Sequence, residues 1–278
     1  MKVVFTQPFL VSTELATSIE GKVAVLDIAF SNGTTNTGLF IESLGTKLVK
    51  WVDHHPHNDW VEFVDDPRFN LYTRDIAPAC AVVVTPDVFS EVDTIVTHGD
   101  FDGIMSAAKY ILGGHEPYEG ADRDAIAADS RTGELSSRGR RYEEALKSDV
   151  RNDNIRYAIV TELTTGVHDP SIDEAQRKYI EIRKNTERLA GCYESKGLVN
   201  FIDVSSESSF DLTQLAIFGQ ADGKAAVVLY SADGDVRLKV SGDVSWDFVS
   251  LFGLSGGMKN VVSLDAARLD EAIEKINA

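Results

Sequence analysis

Residues 47–52, Lys-Leu-Val-Lys-Trp-Val, form a short apolar run that stops on Asp53-His54-His55-Pro56-His57. An apolar run of this length, bounded by polar residues and a proline, reads as a buried strand. A strand ending in a carboxylate and two imidazoles must deliver them to the rim of a sheet, because ionisable groups are costly inside an apolar core. Open α/β sheets bind ligands at that rim, outside the carboxyl ends of the strands. A second run, Thr94-Ile95-Val96-Thr97, ends on His98-Gly99-Asp100-Phe101-Asp102-Gly103. Two strand ends of like chemistry imply one convergent site.

The first part of the chain alternates short Val/Ile-rich runs with amphipathic ones. Residues 3–5, 23–28, 48–52, 81–84, 95–97 and 155–160 read as strands; 104–112, 122–128 and 139–148 read as helices. This alternation predicts an α/β fold, a mostly parallel sheet with helices on both faces. Residues 173–194 carry a charged helix whose apolar stripe is marked by Tyr179, Ile182 and Leu189. Beyond it, residues 199–204 read as a strand. Residues 225–230 and 236–240 flank Ser231-Ala232-Asp233-Gly234-Asp235, a hairpin signature. Residues 246–252 and 264–276 read as helices. The organisation expected is therefore a catalytic domain over 1–172, a connector helix over 173–195, and a small α/β, glycine-rich domain over 196–278.

Composition narrows the function. Hydrophobic residues make up 43% of the 278 residues, enough for a proper core. The 27 basic against 44 acidic residues give a net charge of −17, which disfavours a protein that coats duplex nucleic acid. Phosphate substrates stay open, because bound divalent cations reverse the local field. No apolar run approaches the roughly 20 residues needed to span a bilayer, and the apolar part of the N-terminus is too short for a secretory signal. Cys80 and Cys192 are isolated and read as reduced thiols. A cytoplasmic location is expected, and the excess of Asp over Glu with scarce Lys hints at a high-salt one.

Four groups carry the candidate chemistry: Asp27 after Val23-Ala24-Val25-Leu26, Asp53-His54-His55, the His98/Asp100/Asp102 cluster, and Asp129 after Ala125-Ile126-Ala127-Ala128. Mixed imidazole and carboxylate ligands suit Mn²⁺ or a similar ion harder than thiolates select. A two-ion centre of this kind binds a phosphoryl oxygen and activates a water. Each residue alone has a plainer use. Asp27 and Asp129 could be turn or cap residues, Asp102 a helix cap, and Asp53 to His57 a surface turn. All four being coincidental is the weaker account. Arg138, Arg140 and Arg141 are open to two readings, a phosphate clamp or a solvated helix start paired with Glu143 and Glu144. His57 is a reserve ligand, while His115 and His168 read as loop residues.

Val52-Asp53-His54-His55-Pro56 resembles the namesake motif of the DHH phosphoesterase superfamily. His98-Gly99-Asp100-Phe101-Asp102-Gly103, followed by Ser106-Ala107-Ala108, is similar to that superfamily's first motif in its archaeal RecJ-like form. Asp27 matches the second motif and Asp129 the fourth. Residues 235–241 and Ser255-Gly256-Gly257-Met258-Lys259-Asn260 resemble the superfamily's glycine-rich substrate domain. Two departures stand out. The His-x-Asp-x-Asp motif, first in the family, here comes after Asp27 and Asp53-His54-His55, so the order is permuted. Where the family's glycine-rich loop commonly carries a His, this chain has Met258.

The resemblance implies roles. His98 and Asp100 would bind one metal; Asp102, His54 and Asp129 the other; Asp27 would bridge. His55 would touch the substrate and Asp53 would orient a histidine. Gly256 and Gly257, through their N–H groups, and Lys259 would hold a terminal phosphate or carboxylate, with Arg138 and Arg141 as further phosphate contacts. The activity implied is a manganese-dependent phosphoesterase with two Mn²⁺ ions, Mg²⁺ or Co²⁺ being possible substitutes. It would cleave phosphodiester bonds of a short single-stranded oligonucleotide or dinucleotide. Pyrophosphate or polyphosphate hydrolysis is the alternative chemistry, and a non-catalytic replication or repair scaffold of the same fold the alternative class.

Overall fold

A computed structural model describes residues 1–31, 36–130, 133–149, 152–232, 234–254 and 259–278. The chain forms two compact units, Met1–Lys178 and Tyr179–Ala278. In the first, strands β1 (Lys2–Thr6), β2 (Val23–Leu26), β3 (Leu48–Asp53), β4 (Phe69–Leu71) and β5 (Thr94–His98) make one sheet in the order β1-β5-β2-β3-β4. Every pairing in it is parallel. Helices α1 (Thr13–Ser18), α2 (Thr37–Leu44), α3 (Cys80–Val83), α4 (Phe101–Ile111), α5 (Ala121–Ser130), α6 (Ser137–Lys147) and α7 (Asp153–Thr165) accompany it, and α8 (Pro170–Ala190) begins in this unit and ends in the second.

The strands are apolar on both faces because both faces are covered. Ala24, Leu26, Val52 and Ile95 pack with α3 through α7; their neighbours Val23, Val25, Trp51 and Val96 pack with α1 and α2. Alternate side chains of a strand point to opposite faces, so a doubly covered strand loses its polar alternation.

That same property explains two misreadings. Residues 81–84, expected as a strand, lie in α3 and just past its end, and residues 155–160 lie inside α7. A continuous apolar run does not reveal its period. In α7 the buried positions Ile155, Ile159, Val160 and Leu163 have helical spacing, and Asn152 caps the start by accepting from Asn154 N at 3.1 Å. Strand β4 and helices α1 and α2 have no counterpart among the expected elements. Helix α8 starts at Pro170, not at residue 173, since a proline fits the first helical turn.

The second unit holds a mixed sheet of β6 (Glu194–Lys196), β7 (Val199–Asp203), β8 (Ala225–Ala232), β9 (Asp235–Ser241) and β10 (Val261–Asp265), ordered β10-β9-β8-β7-β6. Among the described residues only the β7–β8 pairing is parallel. Helices α9 (Leu212–Phe218), α10 (Phe248–Phe252) and α11 (Leu269–Asn277) complete it. Residues 264–276, expected as one helix, divide into the end of β10, a short turn and α11; Asp265 makes the break by accepting from Ala267 N at 2.8 Å. Among the described residues no helix is long and apolar enough to cross a membrane.

Candidate metal centre

Three neighbouring strands, β5, β2 and β3, end level with one another: Leu26 stands opposite both Thr97 and Val52. The residues just past these three ends therefore converge, whatever their order along the chain. Asp27 comes directly after β2, Asp53 closes β3 ahead of His54 and His55, and His98 closes β5 ahead of Asp100 and Asp102.

Backbone geometry fixes these side chains. Asp27 adopts φ 55°, a left-handed conformation that Asp tolerates better than most residues, while its N–H donates to Val52 O at 2.9 Å. Asp100, not Asp102, caps α4, accepting from Gly103 N at 3.0 Å, and its other oxygen lies 2.8 Å from His98 Nδ1. Gly103 is required, because a Cβ there would stand 2.3 Å from His98 O. Asp102 sits in the first turn of α4, 2% exposed, and accepts from the N–H groups of Cys80 at 2.6 Å and Ala81 at 2.9 Å. The start of α3 thus holds Asp102 in place. His54, fully buried, donates from Nδ1 to Ala77 O at 2.8 Å. His55 Nδ1 lies 2.8 Å from Asp53 Oδ1.

Because Nδ1 of His54 carries its proton, Nε2 presents a lone pair. It stands 3.4 Å from Asp27 Oδ1 and 3.5 Å from Asp102 Oδ2. Among the described residues, Asp27 Oδ1, His54 Nε2 and Asp53 Oδ2 are buried without a hydrogen-bond partner. Acceptors packed together with no donor between them repel, and a buried charge without a partner costs several kcal/mol. The pKa directions agree. Burial, then Asp102 and Asp100, push Asp27 well above the usual carboxylate range, and burial with Asp100 raises Asp102 to about 8. Burial also holds His54 below its ordinary value. Asp100 is the exception: burial opposes its charge, but the His98 hydrogen bond and charge leave it below its ordinary value.

The donor set fits divalent cations. Asp27, His54 and His55 offer ligand atoms within 4.8 Å of one another, as do Asp27, His98 and Asp100, and likewise His54, Asp102 and Asp129. Asp27 and His54 each belong to two of these sets, so the groups adjoin.

Among the described residues, Arg138 and Arg141, also singled out in the sequence, have their hydrogen-bond partners outside the cluster. Arg138 stacks its guanidinium 4.7 Å over the Tyr118 ring and donates to Tyr142 Oη at 3.2 Å. Arg141 is taken up by Glu162, Asp173, His168 and Asp169 O, none of which belongs to the acidic cluster. His57 caps a short turn, accepting from Asp59 N at 3.2 Å, and His115 is exposed. In the second unit, Lys259 is exposed with Nζ 3.9 Å from Asp247; Gly256, Gly257 and Met258 lie outside the described residues.

Several contributors to the site carry no sequence motif. Gln7 Oε1 lies 3.0 Å from His98 Nε2, and Arg74 pairs with Asp129. Ala77 O, Cys80 N and Ala81 N act through the backbone, which residue identity does not disclose.

No family model and no curated protein matches this chain. Among solved structures, the pGpG-specific phosphodiesterase PggH from Vibrio cholerae is similar at a TM-score of 0.55 and 12% identity, covering 93% of this chain and 99% of that one. An exopolyphosphatase-related protein from Bacteroides fragilis aligns at a TM-score of 0.44 and 12% identity, over 95% of this chain and 71% of the other. At such identity the first likeness is one of fold.

Proposed function

We propose that this protein is a divalent-metal-dependent phosphoesterase that hydrolyses phosphodiester bonds in short single-stranded oligonucleotides or dinucleotides. One observation carries the reading: buried His54 Nε2 stands 3.4 Å from Asp27 Oδ1 and 3.5 Å from Asp102 Oδ2, and among the described residues neither His54 Nε2 nor Asp27 Oδ1 has a hydrogen-bond partner. His98 and Asp100 would hold one ion, His54, Asp102 and Asp129 the second, and Asp27 would serve both. Imidazole mixed with carboxylate favours Mn²⁺, with Mg²⁺ or Co²⁺ as substitutes. Divalent cations held there supply Lewis acidity toward a phosphoryl oxygen and lower the pKa of a water.

The side chains do the rest. Asp53 fixes the His55 ring from behind through the 2.8 Å contact to Nδ1. His55, half-buried, supplies from Nε2 the proton that the departing alkoxide needs once water has attacked phosphorus. The family resemblance of the Asp53-His54-His55 and His98 to Asp102 motifs supports a phosphate substrate, and the adjacency of β5, β2 and β3 supports one shared rim for motifs that stand in this order along the chain. A fold shared with a pGpG-specific phosphodiesterase supports a dinucleotide.

The test is Mn²⁺-dependent turnover of pGpG, a short RNA, a short DNA and pyrophosphate side by side. Turnover of the dinucleotide and short strands is expected, abolished by chelation. Preferential cleavage of pyrophosphate would replace the substrate and keep the centre. Bound Mn²⁺ with no turnover of any of the four would make the protein a non-catalytic scaffold.

A further inference from the structure

Arg74 stands in the turn between β4 and α3. Thr73 O accepts from Ile76 N and Ala77 N, both at 2.9 Å, and Ala77 O accepts from His54 Nδ1 at 2.8 Å. The turn that carries Arg74 is thus anchored to a candidate ligand. From it the guanidinium reaches the acidic cluster, where Nη1 pairs with Asp129. Its charge is also felt at His54.

Two properties separate Arg74 from the other cations nearby. Its side chain is 45% exposed, so a ligand arriving from solvent can touch it, whereas Lys109 is buried on Ala81 O and Asp122. Arg156 is held by Gly99 O and Asp153. An arginine also carries five N–H donors in a planar fork, and among the described residues Asp129 is the partner of this one.

Charge gives it a task. Asp27, Asp53, Asp100, Asp102 and Asp129 together hold more negative charge than two divalent ions offset. A phosphate approaching that cluster needs a further cation, and a guanidinium fork matches phosphate oxygens. A cation on Asp129 also weakens the pull of that carboxylate on Arg74.

We infer that Arg74 receives the substrate phosphate: once a divalent ion engages Asp129, the guanidinium exchanges that carboxylate for non-bridging phosphoryl oxygens. The inference rests on the metal-dependent reading above. Arg74 is then a binding residue shared between two anions, a carboxylate before metal and a phosphate after it.

The experiment compares wild type with Arg74→Met and Arg74→Lys by calorimetric titration of Mn²⁺, then of inorganic phosphate into the Mn²⁺-loaded protein, and by steady-state kinetics. Arg74→Met should bind Mn²⁺ as tightly as wild type or more tightly, because Asp129 is freed. Its phosphate affinity should fall about tenfold or more, as for a lost hydrogen bond to a charged group. KM should rise more than kcat falls, and Arg74→Lys, which keeps the charge without the fork, should lie between. Unchanged phosphate affinity in Arg74→Met overturns the inference while leaving a metal-binding, active wild type intact. Mn²⁺ affinity falling together with phosphate affinity overturns it as well, since Arg74 would then be a support for Asp129. A wild type that binds no Mn²⁺ sinks both this inference and the reading beneath it.

Discussion

Two buried polar clusters lie in the first unit, and they are built on opposite principles. In one, Glu162 accepts from Arg141 Nη1 at 2.6 Å, Tyr142 Oη at 2.9 Å and Asp169 N at 2.8 Å, and Arg141 pairs with Asp173 besides. Each acceptor meets a donor, and the negative charge meets a positive one supplied by the chain. In the other, His54 Nε2 stands between Asp27 and Asp102, and among the described residues neither it nor Asp27 Oδ1 meets a donor. The first cluster is complete as it stands; the second is complete only with a cation from outside. Burial of charge alone therefore does not mark a functional site. The missing donor does.

The largest effect expected is at Asp27. Asp27→Asn should abolish Mn²⁺ binding and turnover together, while the metal-free variant should melt higher than metal-free wild type. Asn tolerates the same left-handed backbone, and its amide N–H groups supply donors where the buried acceptors have none. Thermal melts with and without chelator, with metal content measured alongside, check this. A metal-free Asp27→Asn protein less stable than wild type would mean that the acceptor cluster is not strained without metal, and the contrast between the two clusters would collapse.

Next comes His55→Ala. Turnover should fall about 10²–10⁴-fold, the usual worth of a positioned acid or base, with Mn²⁺ affinity within a few-fold of wild type. Single-turnover kinetics on an aryl phosphodiester give the first quantity and calorimetry the second. Metal affinity falling in parallel with turnover would move His55 into the ligand set, where its closeness to Asp27 and His54 also permits it to stand.

Asp27, Asp53-His54-His55 and the His98 to Asp102 cluster could be found in the sequence because each comes after a short Val/Ile-rich apolar run, and strand ends of one parallel sheet share one rim. Their surroundings could not. Asp102 is held by amides of Cys80 and Ala81, and residues 81–84 read as a strand because four apolar residues in a row have no legible period. Arg74 has no motif; it reaches Asp129, 55 positions away, only through the fold. Arg141 is the converse case. Its type suits phosphate, and its partners Glu162 and Asp173 lie 21 and 32 residues downstream, beyond any local pattern.

The complete cluster should behave in the opposite way to the incomplete one. Glu162→Gln should lower stability by about 2 kcal/mol, because it weakens a charged hydrogen bond and leaves Arg141 less well paired. Turnover and Mn²⁺ affinity should stay within twofold of wild type. Denaturant melts read the first and steady-state kinetics the second. A loss of turnover without a loss of stability would bring the Arg141 cluster into the reaction after all, as the phosphate-clamp reading of these arginines requires.

The smallest effect, and the one that separates the clusters without any substitution, is pH. Burial opposes the charge of Glu162, yet Arg141, the Asp169 N–H and Tyr142 leave its pKa below the ordinary value. A carboxyl lowered on folding contributes stability above its unfolded pKa and loses it as pH falls through the folded one, so this cluster is spent by acid. Asp102 runs the other way. Raised to about 8 by burial and Asp100, it contributes stability that is complete below its unfolded pKa and is lost as pH rises through about 8. Between pH 7 and 8.5 Glu162 is ionised in both states, and Asp102 ionises in the folded state alone. Metal-free protein should therefore lose about 1 kcal/mol over that window, on the order of 2–4 °C in Tm. Asp27 and the Cys80 thiol, both raised by burial, act in the same direction. With Mn²⁺ present the trend should reverse, because the ion displaces the protons and binds more tightly as pH rises. Melting curves at pH 7 and 8.5, with chelator and with Mn²⁺, decide it. A metal-free Tm that rises with pH would mean that Asp27 and Asp102 are already ionised and compensated within the chain, and the cluster would then resemble that of Arg141 and Glu162.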